Sequence, residues 1–247
     1  KIGSLLFADK SRPEVQFRSP GGGVVSALNF GPRRRLLEVV VELDATEAHE
    51  EFPRVADAEL ESIGRERLIE VLIGGGLWPL IRELPFRDAA RPTALPPAVL
   101  VPLDNLDPFH PLPQAYLDAH AERLCFGLRV LERLVGKPPV VTVCRENAAG
   151  LGHPVGRTVR ELTGRYPAHD PGVVLYRTKT SADQNHAWFI TGQDLLLVAE
   201  LLQTGRFPTS RIATLGGPGA TRTGHFRARL GAPFSSFIAG RSAAGEV

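Results

Sequence analysis

The sequence predicts an α/β chain: a small all-β segment, then a mostly parallel sheet flanked by helices. Three observations carry this. Residues 1–44 hold only short β-prone runs cut by Pro and Gly. Apolar runs at 99–101 and 140–144 have the length and composition of buried parallel strands. Between and after them lie helical patterns, and such alternation argues strands connected by crossover helices.

In the first segment the expected strands are 5–7, 15–17, 24–28 and 36–43, punctuated by turn residues at 9–13, 20–23 and 31–32. Residues 45–60 are acidic and loosely patterned, a connector leading to a helix with Leu68, Val71 and Leu72 on its apolar face. Gly74, Gly75 and Gly76 end that helix, and a Pro-rich spacer leads to a strand at 98–103. A long helix is expected over about 113–135. There Leu117, Ala121, Leu124, Leu128, Leu131 and Val135 recur at three- and four-residue steps. Gly136 ends it and Pro138 prevents its resumption. A strand at 140–144, a short helix at 155–162 and a strand at 173–176 follow. Thr191-Gly192-Gln193-Asp194 reads as a capping box opening a helix that runs to Gly205. A last strand at 212–215 runs into a glycine-rich turn, with no closing element expected beyond it. The expected domains are 1–46, 47–219 and 220–247, the last a tail or the start of a further domain. A chain opening on Lys1, with Met nowhere, reads as a piece of a longer protein.

Composition narrows the function. The 29 basic and 27 acidic residues leave a net charge of +2, which gives no case for a nucleic-acid binder. No apolar run approaches the length of a membrane helix. Cys125 and Cys144 form no C-x-x-C pair, which excludes iron–sulfur and structural zinc sites and fits a reduced cytoplasmic setting. The histidines at 49, 110, 120, 153, 169, 186 and 225 form no H-x-x-x-H cluster, so no metal is expected. No Ser sits in a nucleophile elbow.

The candidate site pairs two stretches. Gly74, Gly75 and Gly76, followed by Trp78, form a turn where a flat ligand or another backbone can approach closely. Asp104, Asn105 and Asp107 lie just past the expected strand at 98–103, where open α/β sheets bind ligands. These side chains suit a hydroxylated ligand or a flavin ribityl chain, or equally the turn chemistry that precedes Pro108. Lys10 invites comparison with carrier domains, but it precedes a longer, Pro-interrupted connection and not a tight hairpin.

The runs GGGLWPLIRELPF at 74–86 and TGQDLLLVAELLQTGRF at 191–207, with blocks at 98–108 and 227–232, resemble the NqrA family. Members of that family are the A subunits of Na+-translocating NADH:quinone oxidoreductases. They are related to the C subunit of the Rnf complex and to the NADH-binding flavoprotein subunit of complex I. KIGSLLF and FRSPGGGVV, at 1–7 and 17–25, resemble a biotinyl/lipoyl-type barrel sandwich lacking its opening strands. The resemblance implies that truncated module, then a Rossmann-like α/β domain, then the entry to a soluble-ligand-binding β-grasp-like domain.

It further implies a peripheral subunit on the cytoplasmic side of the bacterial inner membrane, docked to the other subunits. Those subunits would hold NADH, FMN, FAD and an iron–sulfur centre, with ubiquinone at or near this chain. The departures are informative. Where the flavoproteins keep a further glycine and a small residue, this chain has Leu77 and Trp78. The YPAHDPG loop at 166–172 offers one acid, Asp170, for ribose hydroxyls. The expectation is a cofactor-free scaffold whose Trp78 fills the vacated flavin space, with Trp78, Phe86 and Phe109 available to line a quinone cleft. The alternative is an active NADH:FMN oxidoreductase module.

Overall fold

A computed structural model describes residues 1–149, 151 and 159–238. The first segment forms two separate antiparallel hairpins. β1 (Leu5–Ala8) pairs with β2 (Gln16–Arg18), and Phe7 stacks on Phe17 with ring centroids 4.5 Å apart. β3 (Gly23–Phe30) pairs with β4 (Leu36–Leu43) in a long ribbon with two register shifts, and among the described strands it pairs with nothing else. Val24, Leu28, Phe30 and Leu37 of this ribbon are exposed.

The connector then threads onto the α/β body. The Phe52 and Val55 amides donate to the carbonyls of Gly205 and Leu202, and Val55 and Leu60 enter the core. Helix α1 (Arg65–Gly74) follows, then the hairpin β5 (Arg82–Leu84) and β6 (Asp88–Ala89), which the sequence pattern does not foreshadow. β7 (Val99–Pro102) leads to α2 (Pro113–Leu117) and α3 (Ala121–Val135), and these to β8 (Val140–Cys144) and the single turn α4 (Arg145–Ala148). β9 (Val159–Leu162), α5 (Pro171–Thr178), β10 (Ala187–Phe189) and α6 (Gly192–Thr204) complete the body.

The six-stranded sheet has the order β6-β5-β10-β7-β8-β9. Pairings among β10, β7, β8 and β9 are parallel, and the β5–β6 edge is antiparallel. Side chains alternate across it as a strand's two-residue period requires. Val99, Val101 and Trp188 join the large core with α1, α3 and α6. Leu100, Ala187 and Phe189 face a smaller core with Val174 and Leu175 of α5. Both sheet faces are therefore covered.

Several elements differ from expectation. The helix expected over 113–135 breaks between Leu117 and Ala121. Its first piece is tethered to the end of β7, since the Tyr116 hydroxyl donates to the Leu103 carbonyl, while the second packs on α6. Residues 173–176, expected as a strand, lie within α5. The Asp170 side chain accepts from the Gly172 amide at 2.8 Å and Pro171 fills the first helical position, a start signal that a four-residue apolar run hides. The helix expected at 155–162 ends as strand β9, whose edge position leaves Arg160 and Glu161 exposed; its earlier part lies outside the described residues. β10 has no counterpart among the expected strands, because three residues are too few to show a period.

The expected strand at 212–215 exists as β11 (Ser210–Leu215). It pairs with β12 (Gly224–Arg229), an unforeseen closing strand, and not with the parallel sheet. α7 (Phe234–Ile238) follows. Arg229 grips Glu47 through two hydrogen bonds of 2.6 Å, tying this hairpin to the connector beside the N-terminal segment.

Candidate functional site

The chain order runs outward from β7 through β8 to β9, then returns to place β10 on β7's other side. This reversal is a topological switch point, where the loops leaving two neighbouring parallel strands diverge and open a crevice. A cleft of about 450 Å³ lies there. Pro102 and residues 104–107 supply one wall after β7; Phe189, Thr191 and Asp194 supply another after β10. The Tyr166–Pro171 segment closes the β9 side, and Leu80, Arg82, Arg87, His110 and Arg211 complete the lining.

The polar groups are held by local structure. Asp104 is buried at 4 % exposure and clamps the next strand: one carboxylate oxygen accepts from the Cys144 amide at 2.7 Å, the other from the Asn147 side-chain amide at 2.6 Å. Asn105 accepts from the Asp107 amide at 2.8 Å and donates to the Asp107 carboxylate at 2.8 Å. Both residues are thus engaged in shaping the loop, as the turn-chemistry reading allowed. Phe109 sits at φ 60, a left-handed conformation, and its ring packs over Gly216, where a Cβ would come within 2.4 Å of it.

Thr191 caps α6: its hydroxyl accepts from the Asp194 amide at 3.2 Å and donates to the Asp194 carboxylate at 2.7 Å. The expected return of that carboxylate to the Thr191 amide is replaced by this hydroxyl contact. The other Asp194 oxygen is buried without a hydrogen bond, 3.5 Å from the Arg211 guanidinium. Arg87 pairs with Asp170 and lies over the Phe189 ring, 5.9 Å from its centroid. Burial pushes the His110 imidazole below its usual value, so it is neutral at pH 7. The lining carries three arginines and four aspartates, which nearly cancel.

Of the residues singled out from sequence, Asp104, Asn105, Asp107 and Asp170 line this cleft; Gly74, Gly75, Gly76 and Trp78 do not. The two stretches therefore do not frame one pocket. Gly75 instead admits Leu201 of α6, which a Cβ would meet at 2.1 Å, and Gly76, at φ +71, admits Arg18 from the N-terminal segment at 2.9 Å. Trp78 is fully buried, donates to the Ala90 carbonyl at 2.7 Å and meets Trp188 edge to face at 5.6 Å. Phe86 is exposed and lines a separate depression with Arg12 and His186, so Trp78, Phe86 and Phe109 do not converge. Sequence reasoning missed Arg82, Arg87, Phe189 and Arg211. Only the apolar run Ala187–Phe189 just before the capping box gave a signal for any of them.

Comparison with known proteins agrees with this architecture. The family model described as the NqrA second alpha/beta domain matches residues 63–207, and that of the NqrA N-terminal barrel-sandwich hybrid domain matches residues 1–44. The A subunit of the Na(+)-translocating NADH-quinone reductase of Klebsiella pneumoniae strain 342 is 33% identical across 100% of this chain and 55% of its own length. The protein of the same name from Saccharophagus degradans is 31% identical over the same shares. That of Pseudomonas aeruginosa PAO1 is 32% identical over 98% of this chain and 54% of its own. The chain thus spans about half the length of the curated relatives it matches. With one domain model covering more than half of its residues and a second covering its N-terminal segment, the chain belongs to the NqrA family.

Proposed function

We propose that this chain works as the peripheral part of the NqrA subunit in a Na+-translocating NADH:quinone reductase, on the cytoplasmic side of the membrane, and holds no flavin itself. The observation that carries this reading is the closed glycine turn. Leu201 packs against Gly75, Arg18 against Gly76, and Trp78 is sealed in the core, so a flavin ring has no approach to those backbone N–H groups. No described helix is long and apolar enough to cross a membrane, which suits docking to other subunits. NADH, FMN, FAD and the iron–sulfur centre then belong to those subunits.

The cleft at the switch point suits the headgroup of ubiquinone. Its volume of about 450 Å³ falls within the usual range for small-ligand sites. Leu80, Leu106 and Phe189 offer apolar surface, while Tyr166 and the arginines offer donors for quinone carbonyls. Nearly balanced charge gives little net attraction for a phosphate or diphosphate.

The test is direct. The purified protein should be colourless, give no saturable heat with FMN or NADH, and co-purify with integral-membrane subunits from detergent extracts. A short-chain ubiquinone should bind saturably, more weakly after Leu106→Asp. A yellow protein that binds FMN would overturn the scaffold reading in favour of an NADH:FMN module. A ubiquinone titration without saturation would remove quinone from the cleft.

A further inference from the structure

Beside the cleft, the fold gathers three side chains that no sequence spacing connects. Cys144 ends β8, Glu146 lies in the turn α4 and His169 sits before α5; one ligand atom from each lies within 4.8 Å of the others. Cys144 and His169 are buried and Glu146 is exposed. The grouping arises because β8 and the segment after its parallel neighbour β9 end side by side, so no ligand motif shows along the chain.

The state of His169 points to a ligand. At 2 % exposure, its Nε2 lies 3.3 Å from the Leu162 carbonyl, which places the proton there. Nδ1 keeps its lone pair, is buried, and has no hydrogen-bond partner. Leaving a buried acceptor orphaned in this way is costly unless something binds it. An imidazole donating one N–H to a backbone carbonyl while the other nitrogen stays free is the arrangement of a metal-ligating histidine.

Cys144 is a free thiol, and burial, with the Asp104 carboxylate nearby, pushes it above the usual thiol range. It is therefore not poised as a nucleophile. A divalent cation would displace the thiol proton, forming one sulfur–metal bond and releasing one H+. Thiolate and Glu146 carboxylate together balance the ion's charge, and neutral imidazole completes the set. Sulfur and nitrogen favour zinc-like ions over magnesium or calcium. The Leu162 carbonyl behind the imidazole is the outer partner that a ligating histidine needs.

We infer that Cys144, Glu146 and His169 form a binding site for a zinc-like divalent transition-metal ion at the edge of the cleft. Three protein ligands leave a fourth position open, the pattern of sites that also receive a small ligand. His169 belongs to the cleft lining as well, so an ion there would act on whatever the cleft holds. The ion would bind whether or not the cleft receives a quinone.

Cobalt(II) is the probe, added to chelator-treated protein and followed by absorption and calorimetry. One equivalent should bind with a thiolate-to-cobalt charge-transfer band, and zinc should displace it. Cys144→Ser should abolish the band and Cys125→Ser should keep it. Glu146→Gln, at an exposed position that leaves the fold intact, should weaken binding at least about tenfold. Absence of the band in the wild-type protein overturns the site. So does its persistence in Cys144→Ser, or affinity unchanged by Glu146→Gln. Should Cys144→Ser fail to fold, the wild-type spectrum and Glu146→Gln still decide.

Discussion

Alanine at each of the three consecutive glycines should give three different results. Gly74 closes α1 with nothing within 4 Å of where a Cβ would stand, so Gly74→Ala gains helix propensity alone, about 0.5–1 kcal/mol. Gly75 has an ordinary backbone, φ −76 and ψ −6, so chain conformation does not oppose a side chain there. Its Cβ would sit 2.1 Å from Leu201 Cδ2, against an ordinary contact of about 3.5–4.0 Å. Leu201 is fully buried in α6, and such overpacking costs about 1–3 kcal/mol. Gly76→Ala combines φ +71 with a 2.9 Å approach to Arg18, and the backbone part alone is about 1–3 kcal/mol. At about 2–4 °C per kcal/mol for a chain of this size, thermal unfolding separates a rise for Gly74→Ala from falls for the other two. Leu201→Val removes the clashing methyl. The double variant with Gly75→Ala should therefore be more stable than the sum of the single changes, by about 0.5 kcal/mol or more. Equal shifts at all three glycines, or strict additivity with Leu201→Val, would refute the packing account of this turn.

Arg229 and the Gly22 amide hold the Glu47 carboxyl down to about 2 from an ordinary 4.5. A depressed carboxyl contributes stability above its unfolded value and loses it as pH falls. Wild-type stability should therefore decline from about pH 4.5 towards pH 2. The gap to Glu47→Gln should be widest at neutral pH and close on acidification, as urea midpoints across that range will show. Asp104→Asn leaves one acceptor facing two donors, the Cys144 amide and the Asn147 side chain. It should cost about 1–3 kcal/mol in urea unfolding, although the substitution is nearly isosteric.

Elements with strong local signals were legible in the sequence. The 140–144 strand, the stripe through Leu124, Leu128 and Leu131, and the Thr191 cap all stand where the pattern put them. Short elements were not. A run such as Val173–Tyr176 fits a buried strand or a buried helix, and only the Asp170 cap and Pro171 decide it. The β5–β6 hairpin and β10 owe their strand form to neighbours far along the chain. The site followed the same division. The loop after β7 was found because strand ends bind ligands, whereas Arg87, Arg211 and His169 arrive from elsewhere by tertiary folding. The glycines misled because the sequence shows that a backbone needs close approach, but not whether a ligand or Leu201 makes it.

The two tryptophans carry an experimental consequence. Trp78 and Trp188 are the only indoles in the chain, both are shielded from solvent, and they meet edge to face at 5.6 Å. Intrinsic emission therefore reports a single location, the seam between the sheet and the α1 layer. It should be blue-shifted, resist quenching by iodide, and change cooperatively when that seam opens. Close perpendicular rings should also leave an exciton signature in circular dichroism. Neither indole borders the cleft, so occupancy there can leave this signal nearly silent. Fluorescence is thus a sound monitor of the body's integrity and a poor one of ligand capture, for which calorimetry is the better choice.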